Sequence, residues 1–429
     1  MTQSPRTAKS TRLFWVCSMS AYLLMAWLLS GMTRDGLWVF LVATFLLGVA
    51  IAAFLRGRRR VLFGLHLVAA LLSTCVLSLE FVLHTVPDVL NGAMANAAYS
   101  GYHERAGGIY RLDRHLAFAI KPNLEKDIYW NGHWWRHQAN AGGYRGTLLT
   151  AADVVFLGDS MIYGHGVETS ETVPARFEQL TGLRSANLGQ QGTGAIQYML
   201  LLRRHGIALK PRYVFVCWHN TDLQDVTRYY SEDSLSRFVD SPLDDPVAPL
   251  ARGKFQPHRW DLVQRWSSGV APALRFAGAW RKAKRVLRKQ GLKILFAGPL
   301  GEVGDDRPYQ PDEAILTQPF APQESVSEEI RLQWQAHTRA LLQLKADAER
   351  IGARLVLFDL GYPHAMSRTA EKFARDHQIL YSDAGRMVLD RALQGEDVYL
   401  ARDGHWTSDG CSQIAAELAK MIGQLEDRR

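Results

Sequence analysis

Five residues spread between positions 160 and 405 are of the types that ester chemistry needs. Ser160 closes the triplet Gly158-Asp159-Ser160, directly after the apolar run 153–158. A serine just past the carboxyl end of a buried strand stands where open α/β sheets place their sites. Gly192 lies in the glycine-rich turn 187–194, and Asn220 follows the apolar run 213–218. Asp403 and His405 come in Asp403-Gly404-His405-Trp406, before a last helical stretch. A serine hydroxyl is a poor nucleophile until a base takes its proton, and histidine suits that task near neutral pH. A carboxylate then orients the imidazole and stabilises its protonated form. The attacked carbonyl becomes an oxyanion, for which a glycine N–H and an asparagine amide are uncharged donors.

Each of these signals has a plainer reading. A Gly-Asp-Ser triplet alone is also turn composition, and Asp403 could simply cap the helix that follows. Thr221, next to Asn220 in Asn220-Thr221-Asp222, competes for the same position. His165 sits in a glycine-rich turn near Ser160 and reads as wall rather than base, while His364 follows a strand and is a weaker base candidate. Cys217 and Cys411 read as a strand and a helix hydrophobe, with Cys17 and Cys75 in longer apolar runs. No Cys/His spacing suggests a metal site and no phosphate-binding glycine loop is evident, so no cofactor is expected.

The elements that must position these residues are legible from periodicity. Short apolar runs at 153–158, 213–218 and 354–360 read as buried parallel strands. Helices are expected at about 171–182, 194–206, 328–352, 366–377, 383–394 and 408–425. Strands alternating with helices predict an α/β domain, a parallel sheet covered on both faces, over 151–429. The stretch from about 226 to 327 breaks the rhythm and reads as an insertion. It contains a basic helix (Arg281, Lys282, Lys284, Arg285, Arg288, Lys289 and Lys293) that suits lipid headgroups, an acidic glycan or plain solvent. Residues 86–150 read as a linker and lead-in, rich in Gly, Asn, Tyr and Trp. Its cluster of Trp130, Trp134 and Trp135 suits sugar stacking, a membrane interface or the edge of a domain.

In this order, the motifs resemble the SGNH (GDSL-type) hydrolase superfamily, whose four blocks match Ser160, Gly192, Asn220 and the Asp403/His405 pair. The likeness covers about 115–225 and 350–425, with Lys121-Pro122-Asn123 and 140–146 similar to the lead-in of membrane-anchored members. The resemblance implies a three-layer α/β/α sheet of flavodoxin-like order. It also implies a Ser160–His405–Asp403 triad and an oxyanion hole from Ser160, Gly192 and Asn220. The fourth letter of the first block is Met161 rather than Leu, a packing position. Many members carry the acid three residues before the histidine, where Arg402 stands here. The Asp-x-His-Trp form instead resembles the SGNH-like proteins of alginate O-acetylation, which gives the carboxylate role to Asp403.

Composition supplies the location. The chain of 429 residues carries 50 Lys+Arg against 42 Asp+Glu, a net charge of +8. Residues 1–60 hold eight of the basic groups and one acid, leaving the other 369 residues with 42 basic and 41 acidic groups. A nearly neutral body has little to offer phosphates, so no nucleic-acid partner is expected. Three apolar runs fill the same region: 13–32 has 16 hydrophobic residues of 20, 37–55 has 17 of 19, and 61–79 has 14 of 19. At about 1.5 Å per residue each can cross a hydrocarbon core of roughly 30 Å, so residues 1–85 read as a three-helix transmembrane anchor. The basic tail and the Arg56–Arg60 connection put the N-terminus in the cytoplasm and everything after about residue 85 outside it, in a bacterium the periplasm. The resulting expectation is a membrane-anchored serine acyl-ester enzyme removing O-acetyl groups from a cell-envelope or exported glycan. A polysaccharide O-acetyltransferase with a membrane acyl-donor partner, and a non-catalytic scaffold binding glycan or an export partner, remain as alternatives.

Overall fold

In the computed structural model, residues 108–242, 248–252, 309–320, 327–401 and 403–427 are described. They fall within one of two compact units, 100–256 together with 304–429. The three apolar runs, the basic helix and most of the expected insertion lie outside the described residues. Among those described, no helix is long and apolar enough to cross a membrane.

Two hairpins come first: β1 (Tyr110–Asp113) with β2 (Ala117–Ile120), and β3 (Glu125–Trp130) with β4 (His133–Gln138). The first turn is closed by the Asp113 carboxylate, which accepts from the N–H groups of His115 and Leu116 at 2.9 Å each. The second is Asn131-Gly132, both at positive φ (49° and 97°), the two-residue pattern whose twist matches its strands. There follow β5 (Val154–Leu157), α1 (Ser160–Tyr163), α2 (Val173–Thr181), β6 (Ser185–Asn187) and α3 (Ala195–Leu201). Next come β7 (Tyr213–Trp218), α4 (Asp222–Tyr229), α5 (Glu232–Asp240), α6 (Glu313–Thr317) and α7 (Glu328–Arg350). The described chain ends with β8 (Arg354–Asp359), α8 (His364–Asp376), β9 (Leu380–Ser382), α9 (Ala384–Leu393) and α10 (Ser408–Glu426).

The sheet is parallel, in the order β6-β5-β7-β8-β9, as the expected flavodoxin-like arrangement requires. Val154–Leu157 and Tyr213–Trp218 are buried along their whole length, which continuous apolar runs achieve only when helices cover both faces. Phe156, Phe177 and Phe215 pack together between β5, β7 and α2, with centroids 4.9–5.5 Å apart. α2 and α9 lie against α10, while α3, α4 and α5 lie against α7. Helix boundaries follow chemistry: Ser327 and Thr407 cap α7 and α10 with their hydroxyls, and Pro174 opens α2.

Two expectations shift. The stretch taken as lead-in is part of the folded body from residue 108, since Ile109, Phe118, Ile128 and Trp135 join the same core as the sheet. Residues 226–240, expected in the insertion, complete α4 and form α5, both packed on α7. Short strands β6 and β9 were not expected, because three residues are too few to show a period.

Candidate active site

β5 delivers its carboxyl end into a tight turn. Gly158 has no room for a side chain: a Cβ there would lie 2.4 Å from Ile162 Cγ1. The Asp159 carboxylate accepts from the N–H of Met161 at 3.0 Å, starting the single helical turn that carries Ser160. Gly164, at φ 81°, ends that turn. At this crossing point of the sheet order, Ser160 stands at the carboxyl edge, between the paths to β6 and β7.

His405 arrives from the C-terminal part of the chain. A compact loop between α9 and α10 is fixed by Leu400 N–H to His405 O (2.8 Å), Asp403 N–H to Leu400 O (3.0 Å) and Thr407 N–H to Val398 O (3.0 Å). Trp406 is buried beneath it. His405 Nε2 lies 2.7 Å from Ser160 Oγ, and His405 Nδ1 donates to Asp403 Oδ1. The same oxygen accepts the His405 backbone N–H at 3.0 Å. Thr407, not Asp403, caps α10, which removes the plainer reading of that carboxylate. Burial alone would raise the Asp403 carboxyl, but hydrogen bonds from the His405 ring and backbone N–H hold it below the usual carboxylate range.

Ser160 and Gly192 are held by separate devices. The Ser160 N–H opens a helical turn and so has no acceptor within it. The turn bearing Gly192 (φ 64°) is tied to β5 by the Gln190 N–H, which donates to Gly158 O at 3.0 Å. It is pressed onto α1 at Gly189, where a Cβ would meet Tyr163 N at 2.3 Å. Asp222 is buried, and desolvation with the Asp159 charge nearby raises its carboxyl well above the usual value. The Tyr198 hydroxyl lies 2.8 Å from Asp222 Oδ1 and 2.9 Å from Thr193 O, bridging the two. That chain fastens the Gly192 turn to the end of β7.

Thr221 is committed to His219, its hydroxyl 2.8 Å from Nδ1 and its N–H donating to the same atom at 3.1 Å. Because Nδ1 accepts the N–H of Thr221, the 3.4 Å approach of Asp159 Oδ2 to it is no ion pair, and burial lowers the pKa of that imidazole. Asn220 Oδ1, by contrast, is buried without a hydrogen-bond partner.

No protein-family model matches the chain, and no curated protein matches it. Among solved structures it is similar to a G-D-S-L family lipolytic protein from Desulfitobacterium hafniense, at 13% identity over 62% of this chain and 97% of that one, with a TM-score of 0.32. A GDSL-like lipase from Bacteroides thetaiotaomicron matches at 12% identity, 65% and 93% coverage and a TM-score of 0.30. A catalytic mutant of an acetylxylan esterase from Geobacillus stearothermophilus matches at 12% identity, 65% and 97% coverage and a TM-score of 0.32. Chemistry is therefore read from the side chains themselves.

Several contributors were not singled out in the sequence. Asn131, at the hairpin tip, donates from Nδ2 to Asp403 Oδ2 at 3.0 Å, and His133 Nε2 meets Ala401 O at 2.9 Å. The Asn-Gly dipeptide was a readable hairpin signal, but only pairing shows where its tip lands. Arg145 is buried and gives both terminal nitrogens to the loop after Ser160: Nη1 to Tyr163 O and Gly164 O, Nη2 to Val167 O, Thr169 Oγ1 and Arg136 O, all within 3.2 Å. Of the three tryptophans, Trp135 is buried against His165, Trp130 is half-buried, and Trp134 is exposed on the opposite face beside Tyr129. His364 stands at the start of α8, with Arg386 as its neighbour.

His165, Asp403 and His405 offer three ligand atoms within 4.8 Å of one another. The two rings are stacked nearly parallel, 20° apart, so one ion cannot lie in both ring planes, and the donor set does not suit a metal. A cavity of about 730 Å³ lies beside Asn140, Arg145, Glu178 and Asn187, and none of the triad lines it.

Proposed function

We propose that the chain is a serine acyl-ester enzyme that hydrolyses an O-acyl ester, with an O-acetylated glycan as the substrate class. The carrying observation is the 2.7 Å contact of Ser160 Oγ with His405 Nε2, backed by Asp403 on Nδ1. As Ser160 Oγ attacks the acyl carbonyl, its proton passes to His405 Nε2, and the Asp403 carboxylate balances the imidazolium. The oxyanion forms against the N–H groups of Ser160 and Gly192 and the Asn220 amide. His405 returns the proton to the departing alcohol oxygen, leaving an acyl-Ser160 ester. Water then adds to that ester with His405 as base, and collapse releases the carboxylic acid and the serine hydroxyl.

The preference for a glycan ester, and for a site outside the cytoplasm, draws on the three apolar runs of residues 1–85 and on the resemblance of the Asp403-x-His405-Trp406 block. The linked Ser160, His405 and Asp403 side chains speak against a purely structural scaffold. The test is hydrolysis of an aryl acetate by the full chain in detergent, with Ser160→Ala as control. Activity that survives Ser160→Ala overturns the nucleophile assignment. Mass spectrometry with an acetylated donor and an oligosaccharide then identifies the acceptor: free acetate means water, an acetylated glycan means transfer.

A further inference from the structure

We propose that His165 is a positioning residue for the base: its imidazole lies flat on the His405 ring and fixes the plane in which His405 Nε2 meets Ser160. The inference rests on the serine-ester reading above and extends it to a residue outside the triad.

The His165 and His405 rings are stacked, with centroids 4.1 Å apart and planes 20° apart. His165 also meets Trp135 at 4.5 Å and, edge to face, Trp130 at 6.3 Å. The His405 ring is tethered at its two nitrogens, by Asp403 and by Ser160, which leaves it able to tilt about the line joining them. A flat ring on its face opposes that tilt. The stack is itself anchored, because Arg145 binds the carbonyls of Tyr163, Gly164 and Val167 on either side of His165.

The protonation of His165 is set by Gln191. The Tyr110 hydroxyl donates to Gln191 Oε1 at 2.8 Å, so the amide presents its NH2 to His165 Nδ1, 2.9 Å away. Nδ1 therefore accepts, and the single ring proton sits on Nε2. The charged and titratable groups facing the ring are His405 and Asp403 from the C-terminal loop, His133 from the hairpin, and Arg145. Burial first, and then the neighbouring His405, push His165 well below the usual histidine value. Neutrality matters to the reaction. When His405 becomes an imidazolium, a neutral ring offers it a π face, whereas a second cation would oppose proton transfer from Ser160.

The test compares His165→Ala, His165→Phe and Gln191→Met with the parent, in the full chain, by kcat, KM and the pH–rate profile for an aryl acetate. His165→Ala is expected to lower kcat about 10- to 100-fold with KM little changed, the signature of a misaligned base. His165→Phe restores a flat, uncharged ring and is expected to recover most of that loss, with the acid limb of the profile unmoved. Gln191→Met keeps bulk but removes the donor, and reproduces the His165→Ala signature in weaker form even where the phenylalanine variant fails to fold. Parent-like kcat in His165→Ala, or a phenylalanine variant as impaired as the alanine one, overturns the proposal. Ser160→Ala run alongside keeps the two ideas separate: if it remains active, the serine reading fails whatever His165 does.

Discussion

Asn131 and Asp403 are 272 residues apart in sequence, yet the Asn131 amide donates to Asp403 Oδ2 at 3.0 Å. Asp403 Oδ1 is occupied by His405, so the hairpin tip supplies the partner for the second oxygen. Hydrogen bonds to a charged group contribute about 1.5–3 kcal/mol. Asn131→Ala is expected to lower kcat on the order of tenfold with KM nearly unchanged, measured by aryl acetate hydrolysis. A rise in KM alone would place Asn131 on the substrate rather than on the carboxylate.

Asn220 and Thr221 should separate cleanly. Loss of an oxyanion donor costs about 10²- to 10³-fold in kcat, and this is the effect expected for Asn220→Ala. Thr221→Ala removes a contact to His219 and is expected to change kcat by only a few-fold. The reverse order would move the oxyanion role to Thr221.

Arg145 is a test of stability rather than chemistry. Its guanidinium satisfies four buried or part-buried carbonyls and a hydroxyl in a fork that lysine cannot reproduce. Each buried group left unpaired costs about 1–3 kcal/mol. Arg145→Lys should lose about 3 kcal/mol in urea unfolding of the full chain, and Arg145→Ala more. An unchanged midpoint for both would show that the loop satisfies its carbonyls otherwise.

His337, on α7, gives the pH dependence. It is wholly buried against Trp218, neither ring nitrogen has a hydrogen-bond partner, and burial lowers its pKa to about 3. Between the ordinary value of about 6.5 and this one, the unfolded chain binds a proton that the folded chain refuses, so stability falls as pH falls. At pH 5 the loss from this residue is about 2 kcal/mol relative to neutral pH. His337→Phe keeps the ring, removes the proton site, and is expected to flatten the dependence of Tm on pH between about 7 and 4. An unaltered slope would assign the acid sensitivity to other groups such as His137, whose pKa burial also lowers to about 3.

The sheet was legible wherever a strand was long and apolar: 213–218 and 354–360 match β7 and β8 almost residue for residue. The meeting of Ser160, His405 and Asp403 was legible because ester chemistry demands those residue types beside particular elements. Asn131, Gln191 and Arg145 were not, since an amide or a guanidinium in a loop carries no period and declares its partner only through pairing across the fold. His165 was read as wall, and wall it is, but its ring is aimed at the base. The hairpin was hidden for a different reason, because β3 and β4 are half-exposed and tryptophan-rich, a composition that also suits a surface segment.

On the serine-ester reading proposed above, the base lies 245 residues beyond the nucleophile it activates. Ribosomes add about 5–20 residues per second, so a growing chain carries Ser160 for some ten to fifty seconds, on that order, before His405 exists to deprotonate it. The hydroxyl is chemically dormant through that interval. An unfinished or prematurely cut chain would thus be inert toward esters, and competence would arrive abruptly, with the loop that docks between α9 and α10.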